Sequence, residues 1–235
     1  MDRGPSATRP GPFEAAGTRD RAAEPRAVCI PPLGLAGALC IPKGAAALVV
    51  FAHGSGSSRL SPRNMAVAQA LNAQGMATLL FDLLTVEEEA DRTNVFNIPL
   101  LAGRIVEALD WLGREPDAQD LRLGLFGAST GAAAALVAAA RLGDRVGAIV
   151  SRGGRPDLAG EALDRVHTPT LLIVGGADFV VIDLNEQAFA RLRGPKALEI
   201  VPGASHLFPE PGALEAVIDH AAHWFQRYLH ARAPD

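Results

Sequence analysis

The chain is poor in sulfur, in blocks of one charge and in long apolar runs, and each shortage removes a class of function. Cys29 and Cys40 are the two cysteines among 235 residues. Two thiols are too few for a zinc site, and both lie in apolar, strand-like stretches that favour buried reduced thiols over a disulfide. Lys and Arg number 22 against 26 Asp and Glu, a net charge of −4. No basic block stands ready to track a phosphate backbone or an anionic membrane, so neither nucleic acid nor a membrane surface is expected as a partner. No apolar run approaches the roughly 20 residues of a membrane span, and the N-terminus lacks the apolar core of a signal peptide. A soluble, cytoplasmic protein is the expectation.

Apolar residues make up 49% of the chain, enough at this length for one substantial core. Residues 1 to 25 mix Pro, Gly, Arg and small polar residues without apolar periodicity. Such a segment cannot offset its own ordering entropy and is expected to be disordered, which leaves 26 to 235 as a single domain. "AVCIP" and "GLAGALCIP" follow as two apolar runs around a Pro/Gly turn, a pattern for an antiparallel hairpin. Then short apolar runs alternate with helical patterns: "AALVVFA", "ATLLFD", "LRLGLFG", "VGAIVS", "TLLIVGG" and "ALEIV". Several are continuous rather than alternating, as strands buried on both faces are. Ser61 and Pro62 supply an N-cap and a first-turn proline for a helix running towards Gly75. "PLLAGRIVEALDWLG" sets Leu101, Ile105, Leu109 and Leu112 at helical spacing, and "GALEAVIDHAAHWFQRYLH" closes the chain as an amphipathic helix. The series predicts an α/β domain, a mostly parallel sheet with helices on both faces, whose ligands sit at the carboxyl ends of the strands.

The residues just beyond those strands are His53-Gly54-Ser55, Asp82, Ser129, Arg152, Asp178 and His206. Three of them make a hydrolytic set. A serine hydroxyl needs a base to take its proton, the base must be an imidazole in the right tautomer, and a carboxylate holds that tautomer. Ser129, His206 and Asp178 supply these roles in the chain order of a nucleophile elbow on an α/β sheet. The G-x-S-x-G pattern at 127 to 131 alone is weak, since eight serines and 24 glycines in 235 residues produce roughly 0.08 chance matches. Its place, where an apolar strand meets an alanine-rich helix, strengthens it. The plainer alternative is a small residue whose hydroxyl caps that helix. His206 is the histidine after the last strand; His167 lies in a connection, and His220, His223 and His230 lie on the terminal helix. Asp183 rivals Asp178, but reads better as the N-cap of "LNEQAFARLR".

The turn "FAHGSGSS" has two readings. In a hydrolase it supplies one oxyanion N–H, here Ser55, and the residue after the nucleophile, Thr130, supplies the other. Alternatively, strand, G-S-G turn, helix, strand and Asp82 resemble a dinucleotide-binding unit, although its third glycine falls at Arg59. A non-catalytic binding protein on the same scaffold is a further alternative, against which the complete Ser, Asp and His set argues.

With these residues in hand, the chain resembles the α/β-hydrolases and is similar to the dienelactone hydrolase family. The resemblance covers roughly residues 26 to 230 and rests on H-G-S-G-S-S, "LLFDLLT", G-A-S-T-G, "GGAD" and "PGASH". It implies hydrolysis of small esters or lactones by a nucleophile, acid and base triad without metal or organic cofactor. Dienelactone hydrolases proper are known for a cysteine nucleophile; Ser129 stands in that place here and points to a carboxylesterase or related serine hydrolase. Fewer than twenty residues separate Ser151 from Thr170, too few for a lid domain beside a crossover helix, so loops such as "TVEEEADRTNVFN" are the expected cover. Arg152, Arg155, Arg59 and Arg63 lie near the active end. Arg152, Arg155 or Arg59 is a candidate for a substrate carboxylate, against the alternative of ion pairs with Asp157 or the glutamates at 87 to 89. The oligomeric state is left open, a homodimer included.

Overall fold

Strands that are apolar on every residue need cover on both faces, and the fold supplies it. The computed structural model describes residues 23–229; the expectation for the N-terminal segment, up to residue 22, and the placement of His230 lie outside the described residues. The chain opens with the predicted antiparallel hairpin, β1 (Arg26–Ile30) and β2 (Leu35–Cys40), registered Arg26 opposite Leu39. Strand β3 (Ala47–Ala52), helix α1 (Pro62–Ala73) and strand β4 (Ala77–Phe81) follow. Then come a short helix α2 (Val86–Ala90), the longer α3 (Ile98–Leu112), β5 (Arg122–Ala128), α4 (Thr130–Leu142) and β6 (Val146–Arg152). A kinked 3-10 segment (Pro156–Arg165), β7 (Thr170–Gly175), α5 (Phe179–Arg191), β8 (Lys196–Val201) and α6 (Ala213–Leu229) complete it.

The eight strands form one sheet in the order β1-β2-β4-β3-β5-β6-β7-β8. From β4 to β8 neighbouring strands are parallel, and β2 joins β4 antiparallel. Alternate residues of β3 feed different cores: Leu48, Val50 and Ala52 pack with α3 and α4, while Ala47, Val49 and Phe51 pack with α1 and α6. That two-sided burial explains the continuous apolar runs. The chain leaves β3 for β4 on one side and returns to β5 on the other, so the carboxyl ends of β3 and β5 flank the reversal where open α/β sheets place their ligands.

Three expectations need correction. Cys40 is buried, but Cys29 is exposed, because β1 is the sheet's edge and its residues are largely uncovered. The segment 85–97 is not plain loop. Thr85 and Glu88 form a capping box, each side chain accepting from the other's backbone N–H, which nucleates α2. Asp183 lies inside α5 rather than capping it, since the turn after β7 starts the helix at Phe179, with Asp178 at the N-cap position.

Candidate active site

Ser129 sits between β5 and α4 with φ 51° and ψ −121°, a left-handed conformation that non-glycine residues adopt at a cost. Its backbone is clamped on both sides: its N–H donates to the Arg152 carbonyl (3.3 Å), and its own carbonyl accepts from Arg155 N–H (3.1 Å). Its side chain makes no cap bond to α4, so the hydroxyl is not spent on the helix. Close approach explains the flanking glycines. A Cβ on Gly131 would stand 2.2 Å from the Ala52 carbonyl oxygen, and one on Gly127 would stand 2.4 Å from the Ala132 Cα. Only hydrogen fits at either position, and the alanines that follow let α4 lie flat on the sheet.

The two candidate partners follow the ends of β7 and β8, beyond β6. His206 Nδ1–H donates to Asp178 Oδ2 at 2.7 Å, with the histidine partly exposed and the carboxylate more enclosed. That bond selects the tautomer whose Nε2 is free to accept a proton. Asp178 is held by the turn in which its N–H donates to the Gly175 carbonyl. The His206 loop is tied by Ser205 N–H donating to Glu210 Oε1 (3.0 Å). Phe208, buried at φ 55°, closes the loop against the core. The Ser205 side chain first, and the backbone N–H groups of Glu210 and Ser205 after it, lower the Glu210 carboxyl below its ordinary value against the opposing effect of burial.

The turn after β3 approaches Ser129 directly, since a Cβ on Gly54 would fall 2.9 Å from the Ser129 Cβ. Ser55 N–H donates to the hydroxyl of Thr130, the residue after Ser129, at 3.0 Å. An oxyanion can use that N–H only if the Thr130 hydroxyl yields it or shares it. His53 is structural: Leu83 N–H donates to its Nε2 (3.1 Å) and its Nδ1–H donates to the Gly54 carbonyl (3.1 Å). Burial pushes its pKa down, with the Gly54 bond, Asp82 and Glu89 opposing. Asp82 accepts from both the backbone N–H and the guanidinium of Arg59. The acid that a dinucleotide ribose would need is therefore already taken, and the first helix after the turn begins only at Pro62.

Ser129 and His206 line one cleft of about 510 Å³, walled by the Gly54–Ser58 turn, the start of α1, Arg152 and Leu207. A second cavity of about 80 Å³ lies on the other side of that turn, lined by Leu83, Leu84, Val95 and Leu101, and does not include Ser129. Of the three arginines expected near the substrate, Arg59 is ion-paired with Asp82 and Arg155 with Asp157; Arg152 is the one lining the cleft. Its side chain is 7% exposed, and its Nη2 donates to Asn64 Oδ1 at 3.3 Å. Burial first, and Arg63 second, lower its pKa to about 10. Among the described residues no cluster of three His, Cys, Asp or Glu side chains is placed to hold a metal ion, and no helix is long and apolar enough to cross a membrane.

Comparison with known proteins identifies the family to which this fold belongs. A family model described as an alpha/beta hydrolase domain matches residues 45–222. A Mycobacterium tuberculosis protein provisionally named a phosphoribosyl transferase is 54% identical over 228 residues, which cover 94% of this chain and 52% of that protein. The chain thus spans about half the length of that curated relative. A solved dienelactone hydrolase from Anabaena variabilis is 56% identical, with a TM-score of 0.84 over 88% of this chain and 99% of its own. An α/β serine hydrolase without lid from Xanthomonas campestris shares the fold at 23% identity and a TM-score of 0.70, over 89% of this chain and 97% of its own. The chain belongs to the α/β-hydrolase family and is a dienelactone hydrolase-like member of it.

Proposed function

We propose that this hydrolase cleaves small esters or lactones through an acyl-enzyme formed on Ser129. The observation that carries the reading is the 2.7 Å bond from His206 to Asp178 beside a serine held at a strained elbow. As the Ser129 Oγ attacks the acyl carbon, its proton passes to His206 Nε2, and the imidazolium that forms is stabilised by Asp178. The negative charge on the former carbonyl oxygen is met by the N–H groups of Thr130 and Ser55, the latter released by the Thr130 hydroxyl. When the C–O bond to the leaving group breaks, His206 returns the proton to the departing alcohol. Water then gives a proton to His206 as its oxygen attacks the acyl carbon. Cleavage of the acyl–Oγ bond frees the acid and returns the proton to Ser129.

The phosphoribosyl transferase name of the Mycobacterium relative is not carried over, because it belongs to a protein about twice the length of the matched segment. Labelling with a fluorophosphonate probe, read by peptide mass spectrometry, tests the reading. Rapid modification of Ser129 that is lost in His206→Ala is the expected result. A folded protein that leaves Ser129 unlabelled would support a binding role on this scaffold instead.

A further inference from the structure

Arg152 is unusual among the arginines around the cleft. Arg59, Arg104 and Arg155 each face a carboxylate within ion-pair distance. Arg152 has only the neutral Asn64 amide, and its Nε and Nη1 are buried without a hydrogen-bond partner. The like charge of Arg63, whose Nε is also buried and unpartnered among the described residues, adds to burial in lowering its pKa. Both residues line the cleft that holds Ser129 and His206, and among the described residues no acidic side chain lines that cleft. The first turn of α1, beginning at Pro62 after the Ser61 cap, faces the same space and adds the positive end of a twelve-residue helix. A buried cation that shares a cleft with a second, half-buried one and has no anion is a poor arrangement for stability. It is a good one for binding, because a ligand can supply the missing charge.

We propose that Arg152 and Arg63 form an anion subsite beside the nucleophile, so that the ester cleaved at Ser129 carries a doubly charged oxyanion group, a phosphate monoester. This deepens the serine-hydrolase reading and rests on it for the chemistry, though not for the binding. A dianion matches the two guanidiniums, whereas a monocarboxylate leaves one of them uncompensated. Arg152, fixed by the Asn64 amide, forms the rigid wall. Arg63, less enclosed, reaches from the helix start.

Two measurements separate the subsite from the chemistry. The first compares kcat/KM for p-nitrophenyl acetate, p-nitrophenyl hemisuccinate and p-nitrophenyl phosphoglycolate. The expected order places the phosphate ester first, and its ratio to the acetate ester falls at least tenfold in Arg63→Gln and in Arg152→Gln. The second titrates inorganic phosphate into Ser129→Ala by calorimetry, with binding expected there and lost when Arg63→Gln is added. Hydrolysis of the acetate ester without preference for the phosphate ester, and without phosphate binding, overturns the subsite and leaves the hydrolase reading standing. Phosphate binding in a protein that cleaves no ester supports the subsite and sinks the hydrolase reading. A hemisuccinate preferred as strongly as the phosphate ester overturns the dianion assignment.

Discussion

Replacing Gly131 by alanine puts the elbow geometry to a quantitative test. The added Cβ would lie 2.2 Å from the Ala52 carbonyl oxygen and 2.5 Å from that of His53, where ordinary contact begins at 3.4 Å. The shortfall is about 1.2 Å against backbone atoms, which no rotamer can move aside. Either α4 lifts from the sheet or the turn from Ala52 to Gly54 retreats, and both carry Thr130 or Ser55 away from the oxyanion position. Overpacking of this kind costs about 1–3 kcal/mol, and a backbone-to-backbone contact belongs at the upper end. Misplacing reacting groups by about 1 Å costs on the order of 100-fold in rate. Urea unfolding should thus show a loss near 3 kcal/mol, and fluorophosphonate labelling of the folded fraction should slow about 100-fold. Gly103→Ala is the matched control. It sits in α3 with nothing within 4 Å of the added methyl, and should stabilise by about 0.5–1 kcal/mol through helix propensity. Wild-type stability and labelling rate in Gly131→Ala would refute the close approach on which the elbow argument depends.

Asp178→Asn keeps the shape of the site but withdraws the carboxylate from His206 Nδ1; ester turnover should fall about 10³–10⁴-fold with little change in melting temperature, and retention of a tenth of the activity would remove Asp178 from the triad. Arg152→Met replaces a buried, unpaired cation by an apolar side chain of similar length. Chemical denaturation should show a gain of about 1–3 kcal/mol, the pattern of a site residue kept at the expense of stability; a loss would mean that Arg152 is structurally compensated. His53 has a folded pKa below its ordinary 6.5, so the unfolded chain binds the proton at higher pH than the folded one. Its contribution to stability is complete above pH 6.5 and declines as pH falls towards the folded value, with a slope of at most about 1.4 kcal/mol per pH unit. Melting temperatures measured from pH 7.5 to 5 should show that decline, and His53→Gln should flatten it.

The sheet was legible because two-sided burial writes continuous apolar runs, and candidate residues could be named because a parallel sheet delivers successive strand ends to one edge. Naming Ser129, Asp178 and His206 as candidates needed no knowledge of contacts, only of strand order. What was hard to read depended on the third dimension or on competing local signals. Cys29 looked buried because its neighbours are apolar, yet β1 has no strand beyond it. Asp183 reads as the cap of the helix after β7, and only the Gly175–Asp178 turn starts that helix earlier, at Phe179. Thr85 and Glu88, by contrast, carry a capping-box spacing that is visible in the sequence and starts α2. Among the arginines the distinction is electrostatic. Arg155 finds its acid two residues on, a local fact, while Arg59 finds Asp82 across adjacent parallel strand ends. Arg63 and Arg152 are 89 positions apart in sequence and line one cleft only because the start of α1 and the end of β6, beside β5, face the same space. An unpaired guanidinium cannot be seen in a sequence, since it is defined by the carboxylate that the fold fails to bring. It is that failure, in the cleft that also holds Ser129, on which the proposed anion subsite rests.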